Sequence, residues 1–186
     1  KEGILAMLDE VAKKTGVDAA MLKTFAAIES NFETKAKAGT SSAGGLFQFI
    51  NSTWNSMLQK YGPKYGIPLN TSKFDPYANS IMGAEYLKEN RARLSSIKRG
   101  NSVTDLYLAH FLGPGGARAL LGAQPNTIAS KLLPKAASAN YNVFFDKATG
   151  RPRTVAGIVQ WANERIRSKM KAHGMSVAGN TESEIP

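Results

Sequence analysis

The 186-residue sequence contains no cysteine and only two histidines, His110 and His173, which lie far apart in the chain. The lack of cysteine excludes disulfide bonds and thiol chemistry, and two distant histidines argue against a zinc site. No apolar run approaches the roughly 18 residues that span a membrane, and no signal-peptide pattern is seen. We therefore expect a protein that uses no metal and no cofactor.

Acidic residues are also few relative to basic ones. The chain has 14 Asp and Glu against 24 Lys and Arg, which gives a net charge of +10. Such a balance favours an anionic partner: nucleic acid, anionic lipid or an acidic cell-wall polymer. The basic residues spread over 13–37, 88–99 and 151–171, without interleaved aromatic residues on one element. A nucleic-acid-binding module is the non-enzymatic alternative, but we expect no nucleic-acid partner.

Apolar residues recur mainly at helical spacing, and no segment alternates as a strand would. We therefore predict a mainly α fold of about eight helices, in one domain over residues 1–174. The predicted helices are 3–14, 18–32 (capped by Asp18), one capped by Ser52, 77–95, 103–112, 117–121 and one from Val155 to about Met170. Segments 60–76 and 134–153 are predicted to be irregular, and residues 175–186 to form a flexible tail.

One acidic residue interrupts the apolar face of the helix predicted over 18–32. On a helical wheel, Glu29 falls between Phe25 and Leu22, whereas Ser30 points away from that face. Partial burial disfavours an ionised carboxylate, so such an acid can stay protonated near neutral pH, as a general acid must. The alternative is that Glu29 extends to solvent from the last helical turn, or pairs with a lysine.

Four motifs follow one another over residues 25–118. They are "ESNF" at 29–32, "GLFQ" at 45–48, "FDPYANSIMGAEYL" at 74–87 and "YLAHFLGPGGA" at 107–117. In this order they resemble the soluble lytic transglycosylase and goose-type lysozyme superfamily. In style they look most like the endolysin catalytic domains of giant Pseudomonas phages. The resemblance implies a lysozyme-like fold.

The resemblance also implies a reaction. Glu29 would be the catalytic general acid and base that cleaves the β-1,4 bond between N-acetylmuramic acid and N-acetylglucosamine, leaving a 1,6-anhydro sugar. Hydrolysis by the same residues, as in a muramidase, is the alternative. Glycosidases usually employ two carboxylates, and Glu85 and Glu89, on one helix face, are the only further pair to consider. A solvated helix face paired with Arg or Lys is the more usual use of such a pair, which favours a single-acid mechanism.

Sugar polymers also require flat apolar surfaces and hydrogen-bonding groups. The predicted substrate-binding residues are Ser42, Gln48, Tyr61, Glu89 and Tyr107. Ser41 and Ser42 both qualify as the polar serine of the family, and Tyr61 is expected in a loop. His110 and Phe111 stand where the family usually has Tyr-Asn, so Tyr107, one helical turn earlier, is the expected substitute.

The resemblance and the charge together predict the partners and the location. We expect binding to peptidoglycan glycan strands and, through the basic surface, to lipopolysaccharide, with the protein acting as a monomer. It would be phage-encoded and act on the host cell wall, in the periplasm or outside the cell. The tryptophan and the basic face of the last helix also permit a membrane-active segment, although core packing is the commoner use.

Overall fold

The computed structural model describes residues 1–175 of the chain. Within that range the chain forms nine α-helices, two short 3₁₀ helices and isolated β-bridges, and no extended strand. The α-helices are α1 (Glu2–Thr15), α2 (Ala19–Ser30), α3 (Asn51–Tyr61), α4 (Pro76–Leu94), α5 (Val103–Leu121), α6 (Ala129–Leu132), α7 (Pro134–Ala139), α8 (Tyr141–Phe144) and α9 (Val155–Ala172). The mainly α prediction is confirmed, with one helix more than expected. The predicted tail, except for residue 175, lies outside the described residues.

The chain divides into two compact units, Lys1–Lys88 and Glu89–Pro186, and the boundary falls within α4. The prediction that residues 1–174 form one catalytic domain stays a prediction. In the part of the chain that the structure describes, no helix combines the length and the apolar composition that crossing a membrane requires.

The first unit contains the packing of α1 against α2. Leu8 and Val11 of α1, and Leu22 and Phe25 of α2, have no exposed surface. Their 3.6-residue spacing places them on one face of each helix, which is the face that packs. α1 ends at Gly16, whose φ of 79° is a left-handed conformation that glycine adopts without steric cost.

The two predicted caps in this unit need correction. Asp18 occupies the N-cap position of α2, but its side chain makes no capping hydrogen bond. α3 begins at Asn51, so Ser52 lies inside the first turn and the prediction that it caps the helix is wrong. The Ser42 hydroxyl instead accepts a hydrogen bond from the Asn51 N–H at 3.0 Å. The first N–H groups of a helix have no intrahelical partners, so a side chain from a loop can accept a hydrogen bond from one of them.

The segment 60–76 is more regular than its proline and glycine content predicted. α3 continues through Tyr61, so this tyrosine is helical rather than a loop residue. Pro63–Tyr65 then forms a 3₁₀ helix, which ends at Gly66. Proline is common at the first position of such a helix because its ring already holds φ near the helical value. The second 3₁₀ helix of the chain, Ser95–Ile97, directly follows α4.

The start of α4 explains the Asp-Pro pair in the third motif. The Asp75 carboxylate accepts a hydrogen bond from the Ala78 N–H at 2.9 Å, and Pro76 is the first helical residue. This combination of an acidic N-cap and a proline at the first position stabilises a helix start. α4 thereby places the buried Asn79, Gly83 and Glu85 on the interior side of the first unit.

The second unit contains the packing of α5 against α9. α5 carries a kink at Gly113, which has φ 77° and ψ 158°, and Pro114 follows. The two helices predicted over 103–112 and 117–121 are therefore one interrupted element, and its second part begins earlier than predicted. Proline is compatible with the first turn of that second part because its missing N–H is not needed there.

The residues that lead into α9 are more ordered than predicted. The segment 134–153 contains α7 and α8, so the expectation of an irregular region is wrong. These helices are too short to show a periodic apolar pattern. The Arg153 guanidinium donates to the Asn142 and Val143 carbonyl oxygens at 3.1 and 2.7 Å and so holds the end of α8. The Thr154 hydroxyl then caps α9 by accepting from the Gly157 N–H.

Candidate active site

Glu29 is the second-last residue of α2 and is half-buried. The neighbouring side chains of this helix are more deeply enclosed, since Phe25 has no exposed surface and Ile28 has 3%. Ser30 is also buried, and its hydroxyl donates to the Ala26 carbonyl at 2.9 Å. The prediction that Ser30 points away from the core is therefore wrong, because this backbone bond lets a small hydroxyl be buried.

The chain reverses direction immediately after Glu29 and Ser30. Asn31 and Phe32 both have left-handed φ values, 52° and 62°. Their N–H groups donate to the last carbonyls of α2, those of Ala27 and Ala26, at 3.1 and 3.3 Å. Such a backbone is costly for residues other than glycine. α2 therefore stops sharply one residue after Glu29.

The second motif folds back onto the segment that follows Glu29. The Gln48 Nε2 donates to the carbonyl oxygens of Ala36, at 3.1 Å, and Gly45, at 2.9 Å. The Gly45 N–H donates to the same Ala36 oxygen at 2.9 Å. Gln48 itself has a φ of 53°. Its amide nitrogen thus fixes the loop.

Asn79 joins this loop to α4. Its side chain is fully buried, and its Oδ1 accepts from the Phe47 N–H at 2.8 Å. Its Nδ2 donates to the Lys73 carbonyl at 2.7 Å and to the Gly44 carbonyl at 3.5 Å. One amide side chain therefore satisfies three backbone groups, two from the loop and one from the residues before α4, as buried backbone requires.

The contact between this loop and α4 also explains why two motif positions are glycine. A Cβ on Gly45 would lie 2.3 Å from the Asn79 Nδ2 and 2.5 Å from the Lys73 carbonyl oxygen. A Cβ on Gly83 would lie 2.6 Å from the ring of the buried Phe47. The second and third motifs thus form one packed unit that supports the loop over residues 36–49.

Ser42 lies on the exposed part of the same loop as Gln48. The Lys73 ammonium donates to the Ser42 carbonyl oxygen and, at 2.6 Å, to the Asn51 Oδ1. Lys73 also lies over the Phe74 ring, at 5.6 Å from its centroid. Sequence reasoning did not single out Lys73, because a loop lysine carries no signal of the carbonyls it will meet.

Tyr61 is half-buried at the end of α3, and the Lys60 ammonium lies 5.4 Å from its ring centroid. An aromatic ring with part of its surface open to solvent has the form that a sugar ring can stack on. The candidates Glu29, Ser42, Gln48 and Tyr61 all belong to the first unit.

Glu85 is enclosed rather than solvated. Its side chain is 2% exposed, and it forms an ion pair with Lys88 at 2.5 Å. The Tyr65 hydroxyl donates to the same carboxylate at 3.3 Å, and the Lys88 ammonium also donates to the Thr15 carbonyl. The expected pairing with a basic neighbour is confirmed, but the expected solvated face is wrong for Glu85, because its carboxylate is almost fully buried and contacts Tyr65 and Lys88.

The two remaining candidates belong to the second unit. Glu89 is half-buried and paired with Arg93 at 3.4 Å. Tyr107 is only 4% exposed, its hydroxyl accepts from the Arg165 Nε at 3.0 Å, and its ring stacks on Phe111. Among residues 1–175, no cluster of His, Asp and Glu has the composition to hold a metal ion.

The sequence also matches a known family. The profile described as "Transglycosylase SLT domain" matches residues 6–120, a span that contains Glu29 and all four motifs. The fold is similar to that of an inactive mutant of the lytic transglycosylase Slt from Pseudomonas aeruginosa, with a TM-score of 0.55 and 21% sequence identity. The match covers 97% of this chain and 26% of that one, so this chain spans about a quarter of that protein's length. At this identity the likeness shows the fold.

Proposed function

The chain belongs to the transglycosylase SLT domain family, and we propose that it cleaves the β-1,4 bond between N-acetylmuramic acid and N-acetylglucosamine in bacterial peptidoglycan. The observation that carries this proposal is the position of Glu29, half-buried in the last turn of α2 inside the family match. In general, burial and the partial negative charge of a helix C-terminus both favour the protonated form of a carboxylic acid. That form is the one that can donate a proton to a leaving group.

The proposed reaction uses Glu29 twice. The protonated acid donates to the glycosidic oxygen, and the bond to C1 of the muramic acid breaks with its electron pair leaving on that oxygen. The N-acetyl group of the substrate stabilises the positive charge at C1. The Glu29 carboxylate then removes the proton of the C6 hydroxyl, whose oxygen attacks C1 and closes the 1,6-anhydro ring. Glu29 is protonated again, and no water is consumed.

The surroundings of Glu85 and Glu89 favour a mechanism with a single catalytic acid. Glu85 is already engaged by Tyr65 and Lys88, and Glu89 by Arg93. Neither is then available as an uncommitted nucleophile, which a two-carboxylate mechanism would need. The N-acetyl group of the substrate replaces that second carboxylate in the proposal.

The other candidates of the first unit would bind the glycan strand. Gln48 would accept a hydrogen bond through its Oε1, since its Nε2 is used by the loop. Ser42, on the exposed part of the loop, and the ring of Tyr61 would contact the sugars. The family's usual Tyr-Asn pair is replaced here by His110 and Phe111.

Mass spectrometry of digested peptidoglycan tests the proposal. Anhydro ends and reducing ends differ in mass by one water. The mass of the product therefore shows whether the C6 hydroxyl or a water molecule attacked C1. We expect anhydro-muramyl fragments, absent in a Glu29→Gln digest. Fragments with reducing ends alone would replace the transglycosylase with a hydrolytic muramidase, and no fragments at all would overturn the proposed function.

The proposal extends to the biological setting. The motif style supports a phage-encoded enzyme of the endolysin type that acts on the host cell wall as a monomer, from the periplasmic or the outer side. Residues after Lys88 carry 14 of the 24 basic residues, including all eight arginines, but six of the 14 acids. This asymmetry supports lipopolysaccharide as a further partner. Binding to lipopolysaccharide vesicles, and light scattering for the mass in solution, test these two points.

A further inference from the structure

A polar cleft lies in the second unit between the residues that precede α9 and the exposed side of α9 itself. Its volume is about 420 Å³, within the usual range of ligand sites. The side chains that matter for the argument are Asp146, Arg151, Arg153, Gln160, Trp161 and Glu164. The proposed reaction uses none of them.

The arginines of the cleft differ in their partners. Arg153 is anchored, because its guanidinium donates to two backbone carbonyls of α8. Arg151 is exposed, and within residues 1–175 its guanidinium has no hydrogen-bond or ion-pair partner. Its five donors match a carboxylate or phosphate in geometry. One fixed and one unengaged guanidinium therefore make this wall attractive to an anionic group.

The same cleft also carries negative charge. Hydrogen bonds from the Thr149 and Ala148 N–H groups lower the pKa of Asp146, which keeps its carboxylate ionised. Glu164, on the α9 side, is exposed and accepts a hydrogen bond from Gln160 at 3.3 Å. A nucleic acid or another uniformly anionic polymer would meet two carboxylates here. A ligand that carries both an ammonium and a carboxylate would not be repelled.

The α9 wall supplies an apolar surface between these charges. Trp161 is half-buried and packs against Phe111, with ring centroids 5.5 Å apart. Glu164 follows Trp161 by three residues and is therefore its neighbour on the helix surface, and Gln160 lines the same cleft. Trp161 and Glu164 also line a second hollow further along α9, of about 250 Å³, with Arg165, Ser168 and Lys169. Trp161 and Glu164 thus line both hollows.

We infer that this cleft binds the peptide stem of peptidoglycan, with a stem carboxylate on Arg151, a stem ammonium on Glu164 and the apolar part of the stem on Trp161. The inference rests on the proposed function, since it assigns a second, non-catalytic contact to the same polymer. Such a contact adds avidity without new chemistry, because one strand then engages two sites. Substrate bearing peptides is favoured over bare glycan.

Titration of muramyl tripeptide, followed by tryptophan fluorescence, tests the inference. This probe is a single amino sugar with a charged peptide, so it has no glycosidic bond to cleave and its binding is independent of catalysis. The chain has two tryptophans, and Trp54 is only 4% exposed, so Trp161 dominates a binding signal. The signal should saturate in the wild type and disappear in Trp161→Phe.

Charge variants locate the contact. Arg151→Gln should weaken binding about tenfold, through loss of a charge-assisted bond, and Glu164→Gln should weaken it similarly. Lys147→Gln, which removes the same charge from an exposed neighbour outside the cleft, is the matched control and should change binding less than about twofold. Thermal unfolding shows that each variant is folded.

Each contrary result identifies a different error. Equal binding of N-acetylmuramic acid without peptide would overturn the assignment to the stem. Competition by a single-stranded oligonucleotide would assign the cleft to a polyanion, and equal effects of Arg151→Gln and Lys147→Gln would remove the specific contact. A protein that produces anhydro fragments but does not bind the tripeptide would refute this inference alone. One that binds the tripeptide but releases no fragments would refute the proposed function alone.

Discussion

The Oδ1 atom of Asn79 accepts a hydrogen bond from the Phe47 N–H at 2.8 Å, across 32 residues of sequence. Both groups are buried, so no water can replace the bond. Through it α4 holds the loop that carries Gln48, and Gln48 in turn bonds to Ala36, seven residues after Glu29. The second and third motifs are thus physically connected, and Gln48 links them to the segment that follows the first motif.

Asn79→Ala is expected to lower the free energy of unfolding by about 1–3 kcal/mol, because it leaves the buried Phe47 N–H without an acceptor. Urea unfolding of the variant measures this loss. Asn70→Ala, in an exposed part of the 60–76 segment, is the matched control and should change stability by less than about 0.5 kcal/mol. Equal stability of the two variants would contradict a structural role for the Asn79 amide.

Gly83→Ala and Gly3→Ala should have opposite effects, although both add one methyl group to a helix. At Gly83 the new Cβ would meet the buried Phe47 ring at 2.6 Å, so we expect a loss of about 1–3 kcal/mol by overpacking. At Gly3 nothing lies within 4 Å, and the better helix propensity of alanine should raise stability by up to about 1 kcal/mol. Thermal unfolding of both variants checks the sign; a stabilised Gly83→Ala would refute the packing argument.

Glu29→Ala should reduce peptidoglycan cleavage by about 10²–10⁴-fold, since general acid–base assistance alone is worth that much. The fold should be retained or slightly stabilised, because a polar group leaves a partly apolar environment. Glu33→Ala, an exposed acid just after α2, is the control and should keep full activity. Melting temperature and fragment release are measured on the same samples. A folded Glu29→Ala protein with near-normal turnover would exclude Glu29 as the catalytic acid.

The raised pKa of Tyr65 predicts how the stability of the fold changes at alkaline pH. Burial, with the charge and hydrogen bond of Glu85, raises the pKa of the Tyr65 hydroxyl to about 12 from 10.0. Between these values the folded state holds a proton that the unfolded state has lost, so rising pH favours unfolding. The contribution is complete below about pH 10 and is lost as pH rises through about 12. Urea titrations of wild type and Tyr65→Phe should show a steeper decline in the wild type over this window, and parallel declines would contradict it.

Salt should weaken lysis of permeabilised Gram-negative cells. Binding of a protein of charge +10 to a polyanionic wall is partly electrostatic, and the Debye length falls from about 8 Å at 0.15 M to about 3 Å at 1 M salt. We expect lysis to drop severalfold across this range, with the melting temperature measured in parallel to exclude unfolding. Lysis that does not respond to salt would leave the basic surface without a role in wall binding.

The sequence by itself determined the helices whose apolar residues repeat over several turns. Those at 3–14, 77–95 and 155–170 agree with α1, α4 and α9 to within a few residues, because their burial follows from local spacing. The four motifs, in their order, also predicted the family before any coordinates. Glu29 could be singled out because a carboxylate on an apolar face breaks a local pattern.

Only the tertiary structure decided which distant groups meet. Ser52 was predicted to cap α3, yet the acceptor is Ser42, which a loop brings back to the helix start. Lys73 and Asn79 gain their roles from backbone carbonyls and N–H groups that lie remote in sequence. Local propensity describes what one segment prefers, whereas a hydrogen bond between segments depends on how the whole chain packs. The burial of Glu85 and the cleft beside α9 arise in the same way, since each is formed by several segments, and no single segment's pattern encodes it.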